Sequence, residues 1–294
     1  MKEIVIISGK GGTGKTSITA AYAMLGGEEV IVADCDVDAA DMHLLLQPDW
    51  AYAEDFYSGQ LAGIAEEKCL HCGKCARICR FKAIDLIDGK YQVNNLNCEG
   101  CGYCHYACPA DAIIMEEQNV GKFYISRTKA ANSLVHAKLK IGAENSGKLV
   151  AKVKKEAKRL AEEQNSRYII VDGSPGIGCP VVSSLSGADY VVLVTEPTVS
   201  GLHDLRRVYQ LVKKFHIAAG CIINKADLNT EVTAEIREFL KEEKIDHIMD
   251  IPYDEAFTKA MTLGKTIVEY KGTNLESRIS ESWILLKKIL RSEK

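Results

Sequence analysis

Eight of the 11 cysteines lie between Cys69 and Cys108, and their spacing constrains the fold more than any other feature. The first half reads Cys69-x-x-Cys72-x-x-Cys75-x-x-x-Cys79, and the second reads Cys98-x-x-Cys101-x-x-Cys104-x-x-x-Cys108. Each cysteine of the first quartet recurs 29 residues later, and Ala83-Ile84 recurs as Ala112-Ile113, so the segment is an internal duplication. Disulfides would need an oxidising compartment, and Met1-Lys2-Glu3 runs directly into the apolar Ile4–Ile7 without a signal-peptide pattern. Zinc sites usually take four ligands in two pairs, not two complete quartets. Two iron–sulfur clusters are the expectation.

Each half resembles the run of the bacterial two-cluster ferredoxins. The second half carries the proline after its last cysteine, Pro109, whereas Arg80 stands at that place in the first. The resemblance implies a crossing: three thiolates on a tight loop hold one cubane, and the fourth cysteine leads away to the other. One [4Fe–4S] cluster would take Cys69, Cys72, Cys75 and Cys108, the other Cys98, Cys101, Cys104 and Cys79.

A chain of 294 residues has room for one large domain or two smaller ones. With 47% apolar residues, 26% charged residues and a formal charge of −3, composition predicts a globular protein without a nucleic-acid surface or basic membrane arm. No apolar run approaches the ~20 residues of a spanning helix. The cysteine content points to a reducing cytoplasm.

Ile4–Ile7 reads as a buried strand and Ser17–Leu25 as a helix. Between them Gly9-Lys10-Gly11-Gly12-Thr13-Gly14-Lys15-Thr16 matches G-x-x-x-x-G-K-[ST] in the context that motif requires. Backbone N–H groups of Gly9 through Ser17 are expected to close around phosphates, helped by the helix N-terminus. Lys15 would bridge β- and γ-phosphate oxygens, and Thr16 would ligate Mg²⁺. Tyr168–Val171 is a second buried strand ending in Asp172, the expected partner of that Mg²⁺ ion.

Lys10, directly after the first glycine, makes the loop resemble the deviant Walker A of the MinD/ParA family, which includes the nitrogenase iron protein. That resemblance implies a nucleotide-dependent dimer, as homodimer or with a related subunit, in which Lys10 reaches the partner's nucleotide. It also makes Asp36, within Asp34-Cys35-Asp36-Val37-Asp38, the carboxylate near the attacking water. Asp38, Asp41 and His43 receive no role, and Cys35 reads as a small buried hydrophobe. Gly173–Gly178 resembles the family's second switch. Cys179 follows it where the nitrogenase iron protein has a cluster ligand, but a second such cysteine is missing, so a buried or redox-silent thiol is preferred. Asn224-Lys225-Ala226-Asp227 resembles a guanine-binding tetrad in isolation. Within the MinD-like family Asn224, with Lys225, reads adenine, and Pro252 closes over the base, so ATP is favoured over GTP.

Gln47–Ser58 reads as a connector, and 128–147 carries no legible pattern. A helix is expected from Lys148 to Asn165, with Leu149, Val153, Ala157, Leu160 and Ala161 buried and the lysines at 152, 154, 155 and 158 wet. The last helix buries Leu275, Ile279, Trp283, Leu286 and Leu290. Its acidic residues argue for packing on the sheet over membrane binding.

The fold expected is α/β: a doubly wound, mostly parallel P-loop sheet over 1–57 and 118–294, with an inserted α+β ferredoxin-like domain over 58–117. The preferred activity is a Mg-dependent ATPase coupling nucleotide state to electron transfer to or from a redox or acceptor protein. The alternatives are an iron–sulfur carrier and a redox-sensing positioning ATPase.

Overall fold

The computed structural model describes residues 1–37, 40–140 and 146–292; Asp38, Glu144, Asn145 and Glu293 lie outside them. In chain order the elements begin with β1 (Lys2–Ile7), α1 (Lys15–Gly26), β2 (Val30–Asp34), α2 (Met42–Leu46), β3 (Tyr52–Ile64), α3 (Lys74–Ile78), β4 (Ile84–Ile87) and β5 (Lys90–Val93). There follow α4 (Tyr103–Ala107), β6 (Ile113–Arg127), β7 (Ser133–Leu139), α5 (Ser146–Glu163), β8 (Tyr168–Asp172), α6 (Cys179–Leu185) and β9 (Tyr190–Thr195). The chain finishes with α7 (Val199–Lys214), β10 (Ala218–Asn224), α8 (Thr230–Glu242), β11 (Asp246–Ile251), α9 (Ala256–Thr262) and α10 (Leu275–Ser292).

Two compact units result. The first comprises Met1–Glu54, Lys122–Lys138 and Ser146–Lys294; the second comprises Asp55–Gly121 and Leu139–Asn145. The large sheet has nine strands in the order β11-β10-β9-β1-β8-β2-β7-β6-β3. The six pairings that join β11 through to β7 are parallel. β1, β2, β8 and β9 read as unbroken apolar runs because helices cover both faces. Ile4, Ile6, Val30, Val32, Ile170 and Val192 share one core with α1 and α10, while Val5, Ile7, Ile31 and Val171 are equally buried on the opposite face.

All five apolar positions expected of α10 are buried, and Trp283 packs on Tyr22 of α1 with ring centroids 5.2 Å apart. Among the described residues no helix is long and apolar enough to cross a membrane. The five expected core positions of α5 are buried as well, but one of its lysines departs from expectation. Lys154 is buried: its ammonium pairs with Glu3 of β1 at 2.6 Å and donates to the carbonyls of Ser184 and Ser186. The expected connector is largely β3, and the illegible stretch contains β7.

A buried histidine marks the first unit. His136 on β7 is 3% exposed, stacks on Tyr124 and lies 4.9 Å from the Trp50 ring, and its Nε2 hydrogen-bonds Ser126 Oγ at 3.1 Å. Burial first, then the proximity of His43, pushes its pKa down to about 4. An unfolded histidine titrates near 6.5, so between those values the unfolded chain binds the extra proton and stability falls as pH falls. The predicted loss between pH 7.5 and 5.5 is about 1 kcal/mol, approaching ~3 kcal/mol below pH 4. Urea unfolding of the apo-protein at both pH values, with and without H136Q, checks this. The variant removes that part of the acid slope.

Candidate functional site

The carboxyl ends of the parallel strands gather the first unit's polar side chains, as open α/β sheets do at their ligand sites. After β1 the chain turns through a glycine loop into α1, entered through Gly14 at φ 94°. A side chain there would be strained, and its Cβ would lie 2.5 Å from the Asn224 amide nitrogen. Lys15 Nζ sits 2.9 Å from Asp36 after β2 and 3.7 Å from Asp172 at the end of β8. Thr16 Oγ1 donates to Asp172 at 2.7 Å, and Thr19 Oγ1 donates to the other carboxylate oxygen at 3.1 Å. Cys35 N–H donates to the Asp172 carbonyl and Ser174 Oγ to the Cys35 carbonyl, tying the loops after β2 and β8 together.

The electrostatics are those of a cation site. Burial opposes the charge on Lys15, but Asp172, Asp36 and Asp34 outweigh it and raise its pKa. Burial, and then the neighbouring Asp172, push the Asp34 carboxyl well above the usual range. Burial likewise raises Asp172, against the pull of Lys15. Asp36 and Asp172 thus share one ammonium, and a divalent cation beside Thr16 and Asp172 would add compensating positive charge. Above them lies a cavity of about 560 Å³, lined by Gly11 through Ser17, Asp36, Asp41, Leu44, Leu45, Ser174, Pro175, Pro180 and Met261. That volume suits a nucleotide-sized ligand. The donor set fits Mg²⁺ with a phosphate ester.

Other expected residues stand elsewhere. Lys10 is held away from this cavity, 2.7 Å from Glu196 and within hydrogen-bond reach of Thr198 and Ser200. Lys225 pairs with the second oxygen of Glu196 at 2.9 Å; burial works against that carboxylate, but the two lysines lower its pKa. Asn224 does not line the cavity. Its amide donates to the Thr13 carbonyl at 2.8 Å and accepts from Lys225 N–H, so it braces the phosphate loop. Gly9 is backed by Asp204 of α7, and the Pro252 loop is fastened by Tyr253 N–H to Asp227 at 2.6 Å. Cys35 is buried as expected, whereas Cys179 at the start of α6 is exposed. Thr19, Glu196 and Met261 were not anticipated. Thr19 lies one turn after Thr16 and was legible in principle, but the others come from distant loops.

The second unit collects the cysteines in crossed sets. Cys79 joins Cys98, Cys101 and Cys104 around a hollow of about 480 Å³ that also meets Phe81, Tyr103 and Met115. Cys108 joins Cys69, Cys72 and Cys75 around a smaller space of about 20 Å³, beside Tyr91 and Ile113. Matching glycines, Gly73 at φ 68° and Gly102 at φ 73°, turn the chain into α3 and α4. Ala83 N–H donates to Cys79 Sγ at 3.4 Å and Ala112 N–H to Cys108 Sγ at 3.3 Å, the kind of contact that tunes cluster potentials. Four thiols in each set match the ligand number of a [4Fe–4S] cluster.

Comparison with known proteins agrees with this geometry. Residues 4–267 match the family model described as CobQ/CobB/MinD/ParA nucleotide binding domain. The uncharacterized protein MJ0578 of Methanocaldococcus jannaschii is 35% identical over 230 residues, 77% of this chain and 79% of that one. The uncharacterized ferredoxin MJ0265 of the same organism is 42% identical over 52 residues, 17% of this chain and 31% of its own length. In fold, the chain is similar to the septum site-determining protein MinD complexed with Mg-ADP from Pyrococcus horikoshii. That match has a TM-score of 0.58 at 20% identity and covers 98% and 96% of the two chains. The chain belongs to the CobQ/CobB/MinD/ParA family of P-loop ATPases and carries a ferredoxin-like region within it.

Proposed function

We propose that this ATPase couples its nucleotide state to electron transfer through two [4Fe–4S] clusters. The observation that carries the reading is the pair of crossed cysteine sets, each lining its own hollow in the second unit. A bound cluster supplies one-electron transfer at a potential adjusted by nearby charge and N–H donors. Cys69, Cys72, Cys75 and Cys108 would hold one, and Cys98, Cys101, Cys104 and Cys79 the other. Residues 58–117 would form the cluster domain, inserted into a nucleotide domain of 1–57 and 118–294.

At the phosphate loop, Gly9 through Ser17 would bind ATP, with Lys15 turning from Asp36 and Asp172 toward the phosphates. Thr16 and Asp172 would hold Mg²⁺, and Asp36 would orient the attacking water. ATP is favoured over GTP because Asp227, the tetrad's acid, already accepts from Tyr253 N–H. Lys10 would leave Glu196 to neutralise charge on the nucleotide of a second subunit, drawing two copies, or this chain and a related one, together. The loop after β2 that carries Asp36 leads through α2 into β3, the strand along which the chain enters the second unit, so the insertion point supports the coupling.

Anaerobic purification, iron counting and EPR, repeated with Mg-ATP, with Mg-ADP and without nucleotide, test the reading. About eight irons per chain and nucleotide-dependent rates of cluster reduction and oxidation are expected. Equal rates in all three states sink it.

A further inference from the structure

The internal duplication provides a control that exposes one feature the fold does not require. Residues 68–88 and 97–117 carry matching cysteines, matching glycine turns and matching short helices, yet their charges are opposed. The first stretch holds five lysines and arginines and two aspartates, a formal +3; the second holds four acids and no lysine or arginine, a formal −4. Position by position, Lys68 faces Asn97 in the alignment of the halves, Lys74 faces Tyr103, Arg77 faces Tyr106 and Lys82 faces Asp111.

The basic side chains are exposed. Among the described residues no carboxylate pairs with Lys68, Lys74, Arg77, Arg80 or Lys82, although Glu66 pairs with both His71 and Lys90 nearby. Lys74 lies against the Cys69 quartet, and Arg77 donates to the carbonyl of Cys72, itself an exposed cysteine of that quartet. Leu70, in the same cysteine loop, is 68% exposed. Positive charge that neither folds the unit nor pairs within it acts on approaching molecules, where it speeds and orients encounter.

We propose that the face of the Cys69 quartet formed by Lys68, Lys74 and Arg77 is the docking site for an acidic redox protein. The inference rests on the electron-transfer reading above and names the partner's chemistry. In the docked pair one electron leaves the reduced centre of one protein and enters the oxidised centre of the other, with no bond made or broken. The hollow of the Cys98 quartet is lined by Glu99 and Tyr103, with Arg80 its one basic residue, so that face attracts the partner less and the two clusters are functionally distinct.

Stopped-flow electron exchange between the anaerobically purified holo-protein and two probes tests this: an acidic plant-type [2Fe–2S] ferredoxin, and basic cytochrome c. With the acidic probe the second-order rate is expected to fall about tenfold or more as salt rises from low to physiological strength. It is expected to fall about tenfold again in K68E/K74E and about threefold in K68Q/K74Q, at unchanged iron content. E99K, at the hollow of the Cys98 quartet, changes that rate less than twofold, and cytochrome c shows the opposite response to the K68E/K74E change. Rates within twofold of wild type in iron-replete K68Q/K74Q, or a faster exchange with cytochrome c through the Cys69 face, overturn the docking site alone. Iron-free wild-type protein overturns the electron-transfer reading and the docking site with it.

Discussion

Lys15→Met is expected to abolish Mg-ATP hydrolysis and to destabilise the nucleotide-free protein at the same time. Hydrolysis loses the cation that would bridge the phosphates, and removal of one preorganised charge costs on the order of 10²–10³ in rate. Stability falls for a separate reason. Lys15 is the ammonium shared by Asp36 at 2.9 Å and Asp172 at 3.7 Å, with Asp34 buried behind them. Breaking a buried pair by deleting one partner costs about 3–5 kcal/mol, because the remaining charge is left without compensation. Lys15→Arg separates the two effects: it returns a cation to the carboxylates but carries a planar fork where the phosphates call for a compact ammonium. Urea midpoints near wild type with hydrolysis still lost are therefore expected for the arginine variant. Wild-type stability in Lys15→Met would show that the carboxylates do not rely on this ammonium.

The second large effect concerns the crossing of the quartets. On the proposed function, Cys79→Ser is expected to lower iron from about eight to about four per chain, since one of two four-iron clusters would lose a ligand. The informative variant is the double substitution Cys79→Ser/Cys98→Ser. Both cysteines line the same hollow, so the two lesions fall on one cluster and the iron content stays near four. If each quartet instead held its own cubane, the double variant would damage both and iron would approach zero. Cys79→Ser/Cys75→Ser is the complementary case. Its two residues line different hollows, and near-complete iron loss is expected. Iron assay with EPR spin quantitation separates these outcomes.

Both candidate sites were legible in the sequence for the same reason: the chemistry expected of each depends on short-range spacing. A phosphate loop needs glycines, a lysine and a hydroxyl within one turn between strand and helix, and Gly9–Thr16 has that form. A cysteine loop needs thiolates three positions apart, and the duplication declared that twice. Buried parallel strands were equally plain, because β1, β2, β8 and β9 are apolar on both faces. β3 escaped detection because most of its residues are exposed, leaving no alternation of apolar and polar side chains to read.

The contacts hidden from the sequence are those whose partners lie far along the chain. Lys154 looked like one of four wet lysines on α5 until Glu3, 151 residues away in β1, was found opposite it. Asn224, expected to read the base, donates its amide to the Thr13 carbonyl. Lys10 is held by Glu196, which the loop after β9 delivers.

Local pattern was therefore set by the order of residues alone: the glycine loop between strand and helix, the spacing of the eight cysteines, and which strands would lie inside. Long-range approach, which depends on how the sheet stacks its strand ends, determined the rest. It placed Asp36 and Asp172 on either side of Lys15, anchored Lys10 away from the phosphate cavity, and brought Cys79 to Cys98 and Cys108 to Cys69. Charge compensation and sulfur convergence act through space over a few ångströms, and no spacing along the chain encodes that distance.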